Sequence, residues 1–151
     1  MQRGQLAVDA HADGRLLFDL AGSLWIVPHG GGEARSLGTD AGAASRPRWS
    51  PDGQQILFVS NRSADPAQEP DADELYLLPA AGGEIEQVEA QYGRKFLPSF
   101  APDGKSIAYL GSEQKGKFYQ NSCLYIVPAA GGDVTNLSAR FDLHLSLATL
   151  T

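Results

Sequence analysis

The stretch that decides the fold runs Trp49-Ser-Pro-Asp-Gly53, Gln55-Ile-Leu-Phe-Val-Ser60, then Leu75-Tyr-Leu-Leu-Pro79-Ala-Ala-Gly-Gly83. Ser50-Pro51-Asp52-Gly53 has the chemistry of a type I turn. Serine suits its first position, proline pre-sets the backbone at the second, and glycine takes the left-handed position at its end. Gln55 to Ser60 is a short apolar run rich in β-branched and aromatic residues. Its length and its bounding turns favour a buried strand over a helix. Glu74-Leu-Tyr-Leu-Leu78 reads as a further strand, and Pro79-Ala-Ala-Gly-Gly83 reverses the chain. Glu84-Ile-Glu-Gln-Val88 then alternates as a half-exposed outer strand. With Pro47-Arg-Trp-Ser50 as a short first strand, the segment predicts four strands in series.

The pattern recurs on both sides. Phe100-Ala-Pro-Asp-Gly104 and Leu124-Tyr-Ile-Val-Pro128, with Gly131-Gly132, form a third copy. Its strands are expected at Pro98-Ser-Phe-Ala101, Lys105-Ser-Ile-Ala-Tyr-Leu110, Cys123-Leu-Tyr-Ile-Val127 and Val134-Thr-Asn-Leu137. The first copy keeps Leu24-Trp-Ile-Val-Pro28 and Gly31-Gly32, but only Asp13-Gly14 of the first turn, and Asp19 falls inside its second strand. Equivalent prolines are about fifty residues apart, the spacing of propeller blades. The fold class is therefore all-β, a partial propeller of about three four-stranded antiparallel blades plus a terminal strand. One domain, 1–151, is expected, with blades at about 6–40, 46–90 and 97–138. Phe141-Asp-Leu-His-Leu-Ser-Leu147 alternates strictly and predicts the extra strand at about 141–148. Two long connections, 61–73 and 111–122, fall at the same place in the second and third copies, between their second and third strands.

With 151 residues, 42% hydrophobic and 20% charged, the chain suits one compact body. A formal charge of -6 without a basic cluster argues against phosphate-backbone binding, so no nucleic-acid partner is expected. No apolar run approaches the ~20 residues of a membrane span. Met1-Gln-Arg-Gly-Gln-Leu6 lacks the basic and apolar segments of a signal peptide. A lone Cys123 makes no disulfide framework. Cytoplasmic location with no membrane partner is the simplest reading.

The search for chemistry ends without a catalytic, cofactor-binding or metal-binding residue. A nucleophile elbow needs Gly-x-Ser-x-Gly, and Gly22-Ser23 lacks the second glycine. His11, His29 and His144 share no ligand spacing and read as turn or surface residues. Asp65, Asp71, Asp73 and Glu74 form an acidic loop without the spacing of a calcium loop, and a solvated loop is the simpler account. Gly30-Gly31-Gly32 lacks the Gly-Lys-Ser/Thr of a phosphate loop. Lys115-Gly-Lys117-Phe118-Tyr119 could contact a peptide or another domain, or fold back onto its own blade. Trp25 and Trp49 are expected to fill gaps between blades, and Cys123 to act as a small packing residue. Asn61-Arg-Ser63 and Asn136-Leu-Ser138 match glycosylation sequons, with nothing in the chain to indicate a secreted eukaryotic protein.

The Trp49-to-Gly83 arrangement resembles the WD40-like, TolB-type propeller repeat over nearly the whole chain. Ile107-Ala-Tyr-Leu-Gly111, Asn121-Ser-Cys-Leu-Tyr-Ile-Val-Pro128 and Asn136-Leu-Ser-Ala-Arg-Phe-Asp142 are similar to the propeller of acylaminoacyl-peptidases, in the prolyl oligopeptidase group of serine peptidases. The resemblance implies a non-catalytic propeller that covers an α/β-hydrolase domain and restricts access to small peptides. It implies peptide substrates for the parent protein and a hydrolase domain as partner. A full propeller of that family has more blades, and none of its catalytic residues has a counterpart here. The alternatives are a TolB-like propeller that binds a protein or peptide as a scaffold, and an enzyme with a site in its own loops.

Blades cover one another, so a row of three leaves two apolar faces bare, each losing burial worth about 25 cal/mol per Å². Such faces drive association. Three outcomes follow: the chain is a piece of a longer protein, two copies complete a six- to eight-bladed ring, or the final strand swaps onto a partner. The expectation is a propeller fragment that, in isolation, self-associates through its open blade faces, a second copy being one partner.

Overall fold

The computed structural model describes residues 7–38, 43–112 and 122–139. These form twelve strands and no helix. The strands are β1 (Val8–Ala10), β2 (Leu16–Leu20), β3 (Ser23–Val27), β4 (Arg35–Ser36), β5 (Ser45–Trp49) and β6 (Gln55–Asn61). They continue as β7 (Asp73–Pro79), β8 (Glu86–Val88), β9 (Lys95–Phe100), β10 (Ser106–Gly111), β11 (Cys123–Pro128) and β12 (Thr135–Asn136). Three antiparallel four-stranded sheets result, ordered β1-β2-β3-β4, β5-β6-β7-β8 and β9-β10-β11-β12. Each sheet is one blade whose strands neighbour one another in chain order. The strand expected at about 141–148, with His144, lies outside the described residues, as does Lys115 to Tyr119.

The first copy keeps all four strands despite its degenerate sequence. Asp19 is buried on β2 because two backbone amides need it. Its carboxylate accepts from Ala7 N at 2.7 Å and from Arg46 N at 3.3 Å. Arg46 has a left-handed backbone (φ 53), as does Leu97 (φ 45) at the same position of the next blade. Both lie where the ladder to the second strand slips, so β5 and β9 carry matching β-bulges.

The turn chemistry repeats faithfully. Gly14, Gly53 and Gly104 each donate to the carbonyl three residues back, at 2.9, 2.9 and 2.8 Å. Asp13, Asp52 and Asp103 each accept the amide two residues on, at 3.0, 3.0 and 2.9 Å. This is the aspartate-turn geometry that makes Asp-Gly a strand reverser. The outer turns match as well, with Gly31, Gly82 and Gly131 donating to Pro28, Pro79 and Pro128.

The blades lie face on face. Leu17, Leu24 and Ile26 of the first blade are buried with Ile56, Phe58, Tyr76 and Leu78 of the second in one apolar core. Leu57, Val59, Leu75 and Leu77 on the other side of the second blade are buried with Ile107, Tyr109, Tyr125 and Val127 of the third. Strand alternation makes this possible, since β6 and β7 are apolar on both faces and have a blade to cover each. Aromatic rings stack inside each core, Phe58 on Tyr76 at 5.6 Å and Tyr109 on Tyr125 at 5.5 Å between centroids. Cys123 is free and packs against the second core.

Candidate functional site: the inner-strand wall

The first strand of each blade touches the first strand of the next, so β1, β5 and β9 form one continuous wall. Polar side chains stitch it together. Asp9 on β1 accepts from the Trp49 amide at 2.8 Å and pairs with Arg48 on β5 at 3.4 Å. The Arg48 Nε donates to Pro98 O on β9 at 3.3 Å, and the Arg46 Nη1 donates to Lys95 O at 3.3 Å. Each inner strand thus holds the next through a side chain. Bulged Arg46 also lies over the Phe96 ring at 5.4 Å.

An open groove of about 270 Å³ lies against this wall, lined by Asp9, His11, Arg48, Trp49, Ser99 and Phe100 among others. His11 is fixed at its rim. Its Nε2 lies 3.0 Å from Pro51 O, its Nδ1 lies 3.0 Å from Asp13, and its ring sits 5.6 Å from Trp49. Arg15 covers the same indole at 4.4 Å and donates to Gly53 O at 3.0 Å. Trp49 thereby joins the first two blades, as its sequence position led one to expect. Trp25 instead stands half-buried on the far side of the first blade.

The groove offers a carboxylate, a guanidinium, an imidazole and aromatic rings, a surface suited to holding a polar chain by hydrogen bonds. Its groups are not arranged for acyl transfer. His11 and Asp13 are close, but Nε2 meets a carbonyl where a nucleophilic hydroxyl would have to stand. The Ser50 hydroxyl donates to Asp52 at 2.6 Å and accepts from the Gln55 amide at 2.9 Å, which commits it to the turn.

Two titrating groups at the rim are displaced. The Pro51 carbonyl raises the His11 pKa above its usual value near 6.5, with Asp13 helping and burial opposing. The Arg15 amide, with His11 and the Arg15 side chain, lowers Asp13 to about 2. For a raised histidine, the stabilising contribution is complete below pH 6.5 and disappears as pH rises through the folded-state value. We expect the His11 ring resonances to titrate above the midpoint of an unfolded peptide, and Asp13→Asn to lower that midpoint. A His11 midpoint equal to that of the peptide would contradict the contacts of His11 with the Pro51 carbonyl and Asp13.

The acidic residues of the 61–73 connection do not converge. Asp71 pairs with Arg94 at 2.7 Å and Glu74 pairs with Lys95 at 3.2 Å. Among the described residues, no group of three potential metal ligands gathers. The Asn61 Nδ2 donates to Glu69 O at 2.6 Å, and the Asn61 and Asn136 Oδ1 atoms accept from Ser63 and Ser138, so both sequons are bound into turns.

Sequence reasoning missed Lys95. It opens β9 and is fully buried. Its Nζ donates to the carbonyls of Asp73, Gln91 and Gly93 at 2.6, 2.8 and 3.0 Å, and faces Glu74. Burial depresses its pKa against the opposing pull of Glu74, and burial raises Glu74 and Asp73. Gly93 turns tightly here (φ 122), where a Cβ would overlap the Ser112 carbonyl. Lys95 thus pins the end of the long connection to the loop that starts the third blade. No local pattern marks it.

No family model matches the chain. Over 92 residues it is 39% identical to the uncharacterized peptidase YuxL of Bacillus subtilis, covering 60% of this chain and 12% of that protein. Over 70 residues it is 34% identical to dipeptidyl-peptidase 5 of Porphyromonas gingivalis, covering 45% of this chain and 10% of the relative. The chain therefore matches only about a tenth of each curated relative. A solved structure described as TolB from Agrobacterium tumefaciens superposes with a TM-score of 0.71 at 23% identity, covering 87% of this chain and 45% of that one. Pyrococcus horikoshii acylaminoacyl peptidase superposes with a TM-score of 0.61 at 12% identity, covering 87% and 24%. The chain has a TolB-like β-propeller fold, and its sequence relatives are peptidases.

Proposed function

We propose that the chain is a non-catalytic propeller segment of a serine peptidase of the acylaminoacyl-peptidase and prolyl-oligopeptidase kind. Its blades pack on a hydrolase domain, and its inner wall limits which peptides reach that domain. Residues 1–151 act as one partial propeller, in the cytoplasm. The observation that carries this reading is the 39% identity to a peptidase across 60% of the chain. The wall geometry supports it, since Asp9, Arg48 and Ser99 give a polar surface along which an extended peptide can hydrogen-bond. Among the described residues, no helix is long and apolar enough to cross a membrane.

The test uses the polypeptide in which this segment occurs. It is expected to hydrolyse short acyl-peptides through residues outside 1–151, while the 151-residue chain alone does not. Arg48→Ala together with Asp9→Ala should relax the size limit, raising kcat/KM for longer peptides with little change for dipeptides. A parent without peptidase activity would overturn the assignment. It would leave the TolB-like scaffold, which the TM-score of 0.71 favours, as the better reading.

A further inference from the structure

Asp9, Arg48 and Ser99 stand at one ladder position of three successive blades, opposite Leu17, Leu57 and Ala108. Along the wall this position reads anion, cation, neutral hydroxyl. Asp9 meets Arg48 from one side. On the other side Arg48 reaches to β9, where Pro98 O holds its Nε beside the uncharged Ser99. The guanidinium is thus fixed at two of its nitrogens, and its side chain is still 44% exposed.

The hydrogen-bonding capacity of the groove is unevenly spent. Both Asp9 oxygens are taken, one by the Trp49 amide at 2.8 Å and the other by Arg48. Pro51 O and Pro98 O each face a side-chain partner, and the His11 ring uses its two nitrogens on Pro51 O and Asp13. The donors are less occupied. A guanidinium carries five N–H groups. Among the described residues Arg48 uses its Nε and Nη1, and its Nη2 makes no hydrogen bond. The Ser99 hydroxyl has only a long contact, 3.4 Å, to the Phe100 carbonyl. Trp49 lines the same groove, and its indole N–H has no acceptor either. What the groove lacks is acceptors, so its occupant must bring them.

We propose that the groove receives the C-terminal carboxylate of a short peptide, on the free donors of Arg48 with the Ser99 hydroxyl beside them. The two coplanar oxygens of a carboxylate match the planar fork of a guanidinium. A doubly charged phosphate suits the site less, because Asp9 stands 3.4 Å from the same guanidinium and repels the second charge. Ala10, Ala12, Trp49 and Phe100 line the groove with apolar surface, against which the side chain of the last residue packs. At about 270 Å³ the groove is small for a ligand site, which favours a chain end over the middle of a chain. That a peptide carries the carboxylate rests on the peptidase reading. The recognition itself is measured by binding, so its failure and the failure of that reading are separate results.

Nuclear magnetic resonance titration of the labelled chain with acetyl-Ala-Ala-Phe, as the free acid and as the C-terminal amide, tests it. The Arg48 Nε–H and Ser99 amide signals are expected to shift with the free acid, which should bind about tenfold more tightly than the amide. Arg48→Gln should bring the acid down to the affinity of the amide. Ser99→Asp leaves Arg48 in place, gives it a second carboxylate, and should likewise abolish the preference. It carries the test where Arg48→Gln loses the spectrum of the folded chain. Inorganic phosphate is expected to displace the free acid only weakly. Equal affinity for acid and amide, a preference that survives Arg48→Gln or Ser99→Asp in a folded chain, or phosphate binding as tight as that of the free acid would each overturn the proposal.

Discussion

Replacing Lys95 with methionine is expected to destabilise the chain by about 3–5 kcal/mol, the range seen when one partner of a buried ion pair is removed. Methionine keeps most of the apolar stem and deletes the charge. Three carbonyls then lose a donor, and Glu74 keeps a half-buried carboxylate without its cation. The loss should depend on pH in a defined sense. Burial already holds the folded-state pKa of Glu74 above its usual 4.5, and removing Lys95 raises it further. Between the unfolded and folded values the folded state binds more protons, so the variant gains stability as pH falls through that window. Urea unfolding at neutral and mildly acidic pH measures both effects. A loss below about 1 kcal/mol, or one that deepens on acidification, would show that Lys95 is not the rivet described.

The second large effect is expected at Phe58. It is fully buried, stacks on Tyr76 and belongs to the core shared by the first and second blades. Phe58→Ala should cost about 3–5 kcal/mol, the lost transfer energy plus that of the cavity left behind. The more telling readout is where the loss is felt. The Phe58 ring lies in one core with Leu17 and Leu24 of the first blade, so methyl resonances of those residues should lose their folded positions at the same lowered denaturant concentration as those of the second blade. Unfolding of the second blade alone, with Leu17 and Leu24 unmoved, would mean that the sheets are stable independently of one another.

Much of this architecture was legible because its causes are local. Asp52-Gly53 and Asp103-Gly104 reverse the chain through contacts within four residues, and Pro79 and Pro128 open turns closed by the glycine three places on. The strands between them needed only hydrophobic runs of the right length. Even the degenerate Asp13-Gly14 makes the same turn as the complete motifs. The inner wall was not legible. Asp9 meets Arg48 across 39 residues and Arg48 meets Pro98 across 50, so the wall exists only once the blades are stacked. The left-handed backbones of Arg46 and Leu97 carry no glycine to announce them. Lys95 reads as one more charged residue between two strands, and its burial depends on three carbonyls that a loop brings together. Asp19 looked like a defect in a strand because the amides it serves, Ala7 and Arg46, lie 12 and 27 residues away.

The account depends on the second sheet lying between the other two, with a separate core on each side. Methyl-to-aromatic nuclear Overhauser effects on the labelled chain measure this directly. The expected result is two disjoint sets: Leu17, Leu24 and Ile26 with Phe58 and Tyr76, and Leu57, Leu75 and Leu77 with Tyr109 and Tyr125. Cross-peaks from Leu24 or Ile26 to Tyr109 or Tyr125 would place the first and third sheets in contact and contradict the stack of blades.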